Sequence, residues 1–130
     1  MSYEKLKKLA ELRMQYFIDN KDTLTWYKWS ETYFDAVTQE VAETKTEDKQ
    51  NNTVYLEDEL WDVFWTALML AQSLKAEWKI SSIDAVLERA YNKFSERIGR
   101  DWAWGEGNWD EIKAGQKLKR KQEHENKYHK

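Results

Sequence analysis

The stretch TYFDAVTQEVAE, residues 32–43, contains a conflict that decides how the fold is interpreted. Read as a helix, it places Tyr33 and Ala36 on one apolar stripe, and the next positions on that stripe are Glu40 and Glu43. Two carboxylates therefore lie where a hydrophobic core should continue. Because burial of an unpaired ionised carboxylate is strongly unfavourable, either the stretch is not a core helix or these glutamates hold a positive group.

The composition around this stretch is that of one small helical domain. The chain has 130 residues, of which 41% are hydrophobic and 15% aromatic, enough to fill a core. It contains no proline and four glycines, which favours helices. Cysteine is absent and no apolar run approaches the roughly 20 residues of a membrane span, so we expect a soluble, cytoplasmic protein.

The periodicity of the apolar residues predicts an all-α fold with a four-helix bundle core. The predicted helices cover about residues 3–19, 23–45, 54–78 and 81–100. Residues 113–130 contain too few apolar side chains for a core and are rich in lysine. We therefore expect a helical domain over residues 1–100, followed over residues 101–130 by an aromatic loop and a basic C-terminal tail. We also expect the domain to assemble as an oligomer.

The third predicted helix repeats the conflict of the second. Glu59 and Asp62 are three residues apart, which places them about 60° apart around the helix and about 4.5 Å along it, beside an apolar stripe through Leu60 and Val63. A connection of modest length favours antiparallel packing of neighbouring helices, so the two acidic pairs can face each other. Four converging carboxylates repel one another unless cations lie among them, and an all-oxygen cluster suits Mg²⁺ or Mn²⁺.

Two alternatives compete with a magnesium cluster. Acidic residues three apart are common on solvated helix faces, and in a chain with 24 acidic residues a single pair means little. Two pairs that each adjoin an apolar stripe are rarer. A di-iron carboxylate bundle requires a Glu-x-x-His pair on each of two helices. The two histidines, His124 and His129, both lie in the tail, so the ligands of a di-iron site are absent.

Three segments resemble one known family. QEVAE at residues 39–43, followed by ELWDVFWTALMLA at residues 59–71, resembles the E-x-x-E and E-x-x-D signature of the all-α NTP pyrophosphatases, the group of MazG-like nucleotide pyrophosphohydrolases. NKFSERIGR at residues 92–100 is similar to a segment of MazG proteins. Two departures from the family pattern, Gln39 and the bulky Trp61, leave the four acidic positions intact.

The resemblance implies an activity and a set of ligands. It implies hydrolysis of a nucleoside triphosphate between the α and β phosphates, giving the monophosphate and pyrophosphate. Mg²⁺, or Mn²⁺ in its place, would be held by Glu40, Glu43, Glu59 and Asp62. One of the glutamates of the second helix, Glu40 or Glu43, would act as the base that orients the attacking water. Members of the family form dimers or tetramers, so a homo-oligomer is expected.

Cations on the fourth helix are the candidate phosphate ligands. Lys93, Arg97 and Arg100 lie four and three residues apart beside an apolar face, with Arg89 one turn earlier. These cations could bind the β and γ phosphates, and Asn92 could contact sugar or phosphate. The alternative is a solvated basic flank paired with acidic neighbours.

The chain contains eight tryptophans, which raises the question of a stacking role. An indole ring offers a broad face to a nucleotide base, and Trp26 and Trp29 are the candidates for the base pocket. The alternative is that both belong to the core, which is the more common role of a tryptophan at helical spacing.

Two other functions are consistent with the sequence. A catalytically inactive nucleotide-binding or regulatory bundle would keep the fold without turnover. A nucleic-acid binder would use the basic tail, but the net charge of −3 gives no global attraction to polyanions and the tail lacks regularly interleaved aromatic residues. Nucleic acid and membrane are therefore not expected as partners.

Overall fold

The structure, a computed structural model, describes residues 2–98 and 106–128, and within these ranges every regular element is a helix. The five helices are α1 (Ser2–Asp19), α2 (Ser30–Thr46), α3 (Thr53–Ala76), α4 (Ile83–Ile98) and α5 (Glu106–Tyr128). The predicted all-α class is confirmed, and α1, α3 and α4 begin close to their predicted starts. Arg100 lies outside the described residues. None of the helices in the described part of the chain is both long and apolar enough to cross a membrane.

The chain divides into two compact units, Met1–Ile83 and Asp84–Lys130. The first unit is built around α3, because both α1 and α2 pack against it. Its core is formed by residues from α1, from the following loop, from α2 and from α3, namely Ala10, Met14, Phe17, Tyr27, Tyr33 and Met69.

Tyr27 links the loop after α1 to this core. Its ring stacks on Phe17 with the ring centres 4.3 Å apart, and its hydroxyl shares a 2.7 Å hydrogen bond with Ser73 Oγ. Both buried hydroxyl groups are thereby satisfied, which avoids the penalty of an unpaired polar group in the core. The loop is fixed against α1 and α3 by one side chain.

The buried face of α3 differs from the predicted apolar stripe. Leu60, which lies on that stripe, and Phe64, four residues further along the helix, are 46% and 52% exposed. The buried residues of the helix are Thr66, Met69, Gln72 and Ser73. Apolar periodicity missed Thr66 and Ser73 because their hydroxyls find partners inside the fold: Thr66 Oγ1, for example, donates to the Asp62 carbonyl over 2.9 Å.

The start of α2 also differs from the prediction, which placed it at residue 23. The helix begins at Ser30, because Trp29 adopts φ 60° and ψ −138°, a conformation that no α-helix contains. The Ser30 N–H donates to Glu77 Oε1 over 2.8 Å. Glu77 follows the last residue of α3, so one carboxylate connects the beginning of α2 to the end of α3.

We expect the Glu77→Gln variant to lower the free energy of unfolding by about 1 kcal/mol at neutral pH. The hydrogen bond from Lys79, and then the one from Ser30, lower the pKa of Glu77 below its ordinary 4.5. The stabilisation is therefore present above the ordinary pKa and is lost as the pH falls through the lowered value. Urea unfolding at neutral and acid pH measures this, with the exposed Glu88→Gln as control. Equal midpoints for both variants would contradict the role of Glu77.

The predicted basic tail is helical. Lysine, arginine, glutamine and glutamate are strong helix formers even without an apolar stripe, and they dominate α5. In the second unit α5 runs antiparallel to α4: Arg97 Nε donates to Gln116 Oε1 over 2.8 Å, and Arg89 donates to both carboxylate oxygens of Glu123. These polar pairs connect the two helices.

Candidate metal centre

Packing of α2 on α3 brings carboxylates of both helices together. One oxygen from each of Glu40, Glu43 and Glu59 lies within 4.8 Å of the others. A second group, made of Asp58, Glu59 and Asp62 on α3, meets the same criterion and shares Glu59 with the first. The four predicted acidic residues therefore belong to one continuous cluster, here called the carboxylate cluster, together with Asp58.

The cluster continues the face of α2 that reaches the core. Tyr33 is buried and Ala36 packs against the core, and Glu40 and Glu43 follow on the same face and are half-buried. The packing energy of the aromatic core holds α2 on α3, so the carboxylates are kept close despite their mutual repulsion. The structure therefore places two glutamates on the core-facing side of α2, as the sequence indicated.

Two buried oxygens of the cluster are available to a cation. Glu40 Oε2 and Glu59 Oε2 are buried and, within the described part of the chain, have no hydrogen-bond partner. No lysine or arginine of the described residues forms an ion pair with any member of the cluster. Since buried carboxylate oxygens are nearly always satisfied, an all-oxygen donor set with two unsatisfied atoms fits a hard divalent cation such as Mg²⁺.

The same crowding shifts the protonation of the cluster. Burial, then the hydrogen bond and charge of Glu43, and then Asp62 and Glu59 raise the pKa of Glu40 to about 7. Burial and then the neighbouring acids raise the pKa of Glu59, and burial followed by the charges of Asp58 and Glu43 raises the pKa of Asp62. Without a cation the cluster thus retains protons at a pH where isolated carboxylates have lost them.

Because the pKa of Glu40 is raised, we expect a higher pH to lower the stability of the metal-free protein and to increase its stabilisation by Mg²⁺. Since the pKa of Glu40 in the folded protein exceeds its ordinary 4.5, this carboxyl group stabilises the fold fully below pH 4.5. The contribution is lost as the pH rises through about 7. Mg²⁺ competes with these protons, so the rise in melting temperature that it causes should be small at about pH 5.5 and larger at about pH 8.

Thermal unfolding with and without Mg²⁺ at both pH values measures this prediction. The Glu40→Gln variant, which cannot titrate at this position, should show a flatter pH profile in the absence of metal. An Mg²⁺ effect of equal size at both pH values would contradict the competition.

Two further residues of the site were missed by the sequence analysis. Gln39 Nε2 donates to Glu43 Oε1 over 3.2 Å, so the residue that departs from the family pattern supports a member of the cluster. Asp58 stands four residues before Asp62, and this helical spacing is the signal that could have found it.

The predicted phosphate ligands lie in the second unit. Asn92, Lys93 and Arg97 line a groove of about 540 Å³ between α4 and α5. The Lys93 ammonium lies 5.2 Å from the centre of the Phe94 ring, and the Arg97 guanidinium carbon lies 5.5 Å from it. Their role in phosphate binding remains a prediction.

The sequence analysis predicted that Trp26 and Trp29 lie within the second helix. In the structure both lie in the loop before α2. Trp29 packs against the core, with its ring centre 5.4 Å from that of Tyr27. Trp26 is 50% exposed and meets Phe17 edge-on, with the ring centres 5.3 Å apart. Trp29 therefore serves the core, and the assignment of both to a base pocket remains a prediction.

Part of the chain matches a known protein family. Residues 29–100, more than half of the chain, match the family model of the MazG nucleotide pyrophosphohydrolase domain. The matched range contains both acidic pairs and α4, and it ends before α5 begins. No curated protein and no solved structure matches the chain.

Proposed function

Because the chain belongs to the family of the MazG nucleotide pyrophosphohydrolase domain, we propose that it hydrolyses nucleoside or deoxynucleoside triphosphates to the monophosphate and pyrophosphate in the presence of Mg²⁺. The carboxylate cluster, with its two unsatisfied buried oxygens on Glu40 and Glu59, is the observation that carries this proposal. A site that only binds neutral groups has no need for such a concentration of negative charge.

The proposed metal ligands are Glu40, Glu43, Glu59 and Asp62. Bound Mg²⁺ neutralises the charge of a triphosphate and makes water a better nucleophile, and Mn²⁺ can supply the same chemistry. Gln39 fixes the orientation of one ligand through its hydrogen bond to Glu43, as groups behind metal ligands commonly do.

Glu40 and Glu43 are also the proposed catalytic residues. One of these carboxylates accepts a proton from water as the water oxygen attacks the α phosphorus. The bond between that phosphorus and the oxygen bridging to the β phosphate breaks, and pyrophosphate leaves.

The proposed substrate-binding residues are Asn92, Lys93 and Arg97 for the phosphates and sugar, with Trp26 and Trp29 at the base. Charge on the β and γ phosphates increases as pyrophosphate departs, so cations placed there favour the transition state over the ground state. Of the two indole rings, that of Trp26 is the more available for stacking.

We further propose that the functional form is a homo-oligomer, a dimer or a tetramer. Large apolar side chains are exposed beside the carboxylate cluster on α3, namely Leu60, Trp61 and Phe64. Contiguous exposed apolar residues of this size mark interaction surfaces. Sedimentation of the purified protein should show a species heavier than one chain, and a monomer at all concentrations would refute the proposal.

A panel of nucleoside and deoxynucleoside triphosphates with Mg²⁺ tests the proposed activity. We expect release of pyrophosphate from at least one of them, and its identity defines the substrate. Stabilisation by a nucleotide without any pyrophosphate release would instead identify an inactive nucleotide-binding protein.

A further inference from the structure

The groove between α4 and α5 carries more positive charge than the predicted ligands account for. We infer that α5 supplies two cations, Lys119 and Arg120, that complete a binding site for the polyphosphate part of a nucleotide together with Lys93. This inference rests on the proposed function and extends it, because α5 lies beyond the range that matches the family.

The groove is formed by one face of each helix. On α4 the groove is lined by residues three and four apart, among them Val86, Ala90, Lys93 and Arg97. On α5 the lining residues also share one helical face: Gln116, Lys119, Arg120 and Glu123. Two facing stripes of this kind define a groove that runs along both helices.

Hydrogen bonds connect α4 to α5 at both ends of the groove. Gln116 accepts from Arg97 Nε and donates to the Lys93 carbonyl over 3.0 Å. At the other end Arg89 makes two hydrogen bonds to Glu123, of 3.0 and 2.9 Å. The two helices that carry the cations are therefore held at a defined separation before any ligand binds, which reduces the entropy lost on binding.

The charges of the groove are unbalanced. Five cationic side chains line it against two carboxylates, Glu96 and Glu123. Both oxygens of Glu123 are engaged by Arg89. Among the described residues, Lys93, Lys119 and Arg120 form no ion pair. These three side chains face a common space in which an anion would be stabilised by all of them.

The size and floor of the groove favour a small phosphorylated ligand over a polynucleotide. A volume of about 540 Å³ is in the range of small-molecule sites, and Val86, Ala90 and Phe94 provide an apolar floor beneath the cations. A polynucleotide would respond to all the basic residues of α5, including Lys117 and Lys121, which do not line the groove, and the chain as a whole carries a charge of −3.

Calorimetric titration with inorganic tripolyphosphate tests the site in the full-length protein. EDTA in the buffer removes metal, so the carboxylate cluster makes no contribution. We expect the Lys119→Ala/Arg120→Ala double variant to bind at least about tenfold more weakly than wild type. The matched control, Lys117→Ala/Lys121→Ala, removes the same charge from the same helix and should bind as wild type does. Alanine is the strongest helix former, so both variants keep α5.

The outcomes separate this inference from the proposed function. Unchanged affinity in the groove variant overturns the inference, and so does an equal loss in the control, since that result indicates attraction to the total charge of α5, as for a nucleic acid. Selective loss in the groove variant supports it even when no triphosphate is hydrolysed by wild type. Pyrophosphate release with no tripolyphosphate binding in the groove would leave the activity standing and remove the inference.

Discussion

The Glu59→Gln variant should release pyrophosphate at least about 100-fold more slowly than wild type while keeping its helices. Glu59 belongs to both groups of converging carboxylates, so the substitution removes a carboxylate from each. The substitution also removes a buried, unsatisfied charge, because Glu59 Oε2 has no hydrogen-bond partner among the described residues. The metal-free variant should therefore melt at a higher temperature than metal-free wild type, and Mg²⁺ should raise its melting temperature less.

Steady-state turnover, circular dichroism and thermal unfolding measure these three effects. Glu57→Gln is the matched control, since Glu57 lies on the same helix, is exposed and is not a member of the carboxylate cluster. Wild-type turnover in Glu59→Gln would remove Glu59 from the site. Loss of turnover in both variants would show that the net charge of α3, and not the cluster, controls activity.

The Arg97→Ala variant should lower kcat/KM for triphosphates by about 100-fold, the loss typical of removing one group that stabilises charge in a transition state. The guanidinium is held by Gln116 and lies beside Phe94, so its orientation is set before substrate binds. It is proposed to contact the leaving pyrophosphate and not the metal. The rise in melting temperature caused by Mg²⁺ should therefore equal that of wild type.

Kinetics and Mg²⁺-dependent unfolding of the same preparation test both parts of this prediction. Lys117→Ala is the control, because it removes a cation from α5 outside the groove. An unimpaired Arg97→Ala enzyme would return this residue to the role of a solvated basic side chain. A parallel loss of the Mg²⁺ effect would indicate that the substitution disturbs the carboxylate cluster.

The arrangement of the carboxylates was predictable because two simple regularities determine it. Helical spacing places Glu40 and Glu43 on one face of α2, and Glu59 and Asp62 on one face of α3. Antiparallel packing of neighbouring helices then turns these faces towards each other. The structure brings the carboxylates of Glu40, Glu43 and Glu59 within 4.8 Å, as these regularities require.

The errors arose where tertiary contacts override the local pattern. Residues before Ser30 have helical periodicity, but Tyr27 inserts into the core and Trp29 adopts a positive φ, so α2 begins later. On α3, Thr66 and Ser73 are buried because hydrogen bonds satisfy their hydroxyls, which apolar periodicity cannot register. The burial of Ser73, for example, depends on Tyr27, which is distant in the sequence.

The helical structure of the C-terminal segment was missed for a different reason. The absence of an apolar stripe suggested a loose tail, whereas α5 contains strong helix formers and pairs with α4 through Gln116 and Glu123. Polar contacts between two helices leave no periodic signal in a single sequence. Helix propensity was the available indication, and it favours a helix here.

Hydrolysis of the preferred triphosphate in ¹⁸O-labelled water shows which phosphorus atom is attacked. If Glu40 or Glu43 deprotonates a water that attacks the α phosphorus, phosphorus NMR will show the label in the nucleoside monophosphate and unlabelled pyrophosphate as the other product. Glu59→Gln, measured beside wild type, reports whether the carboxylate cluster is responsible. The nucleoside diphosphate and labelled orthophosphate as the primary products of wild type would contradict the assignment of this chain as a pyrophosphohydrolase.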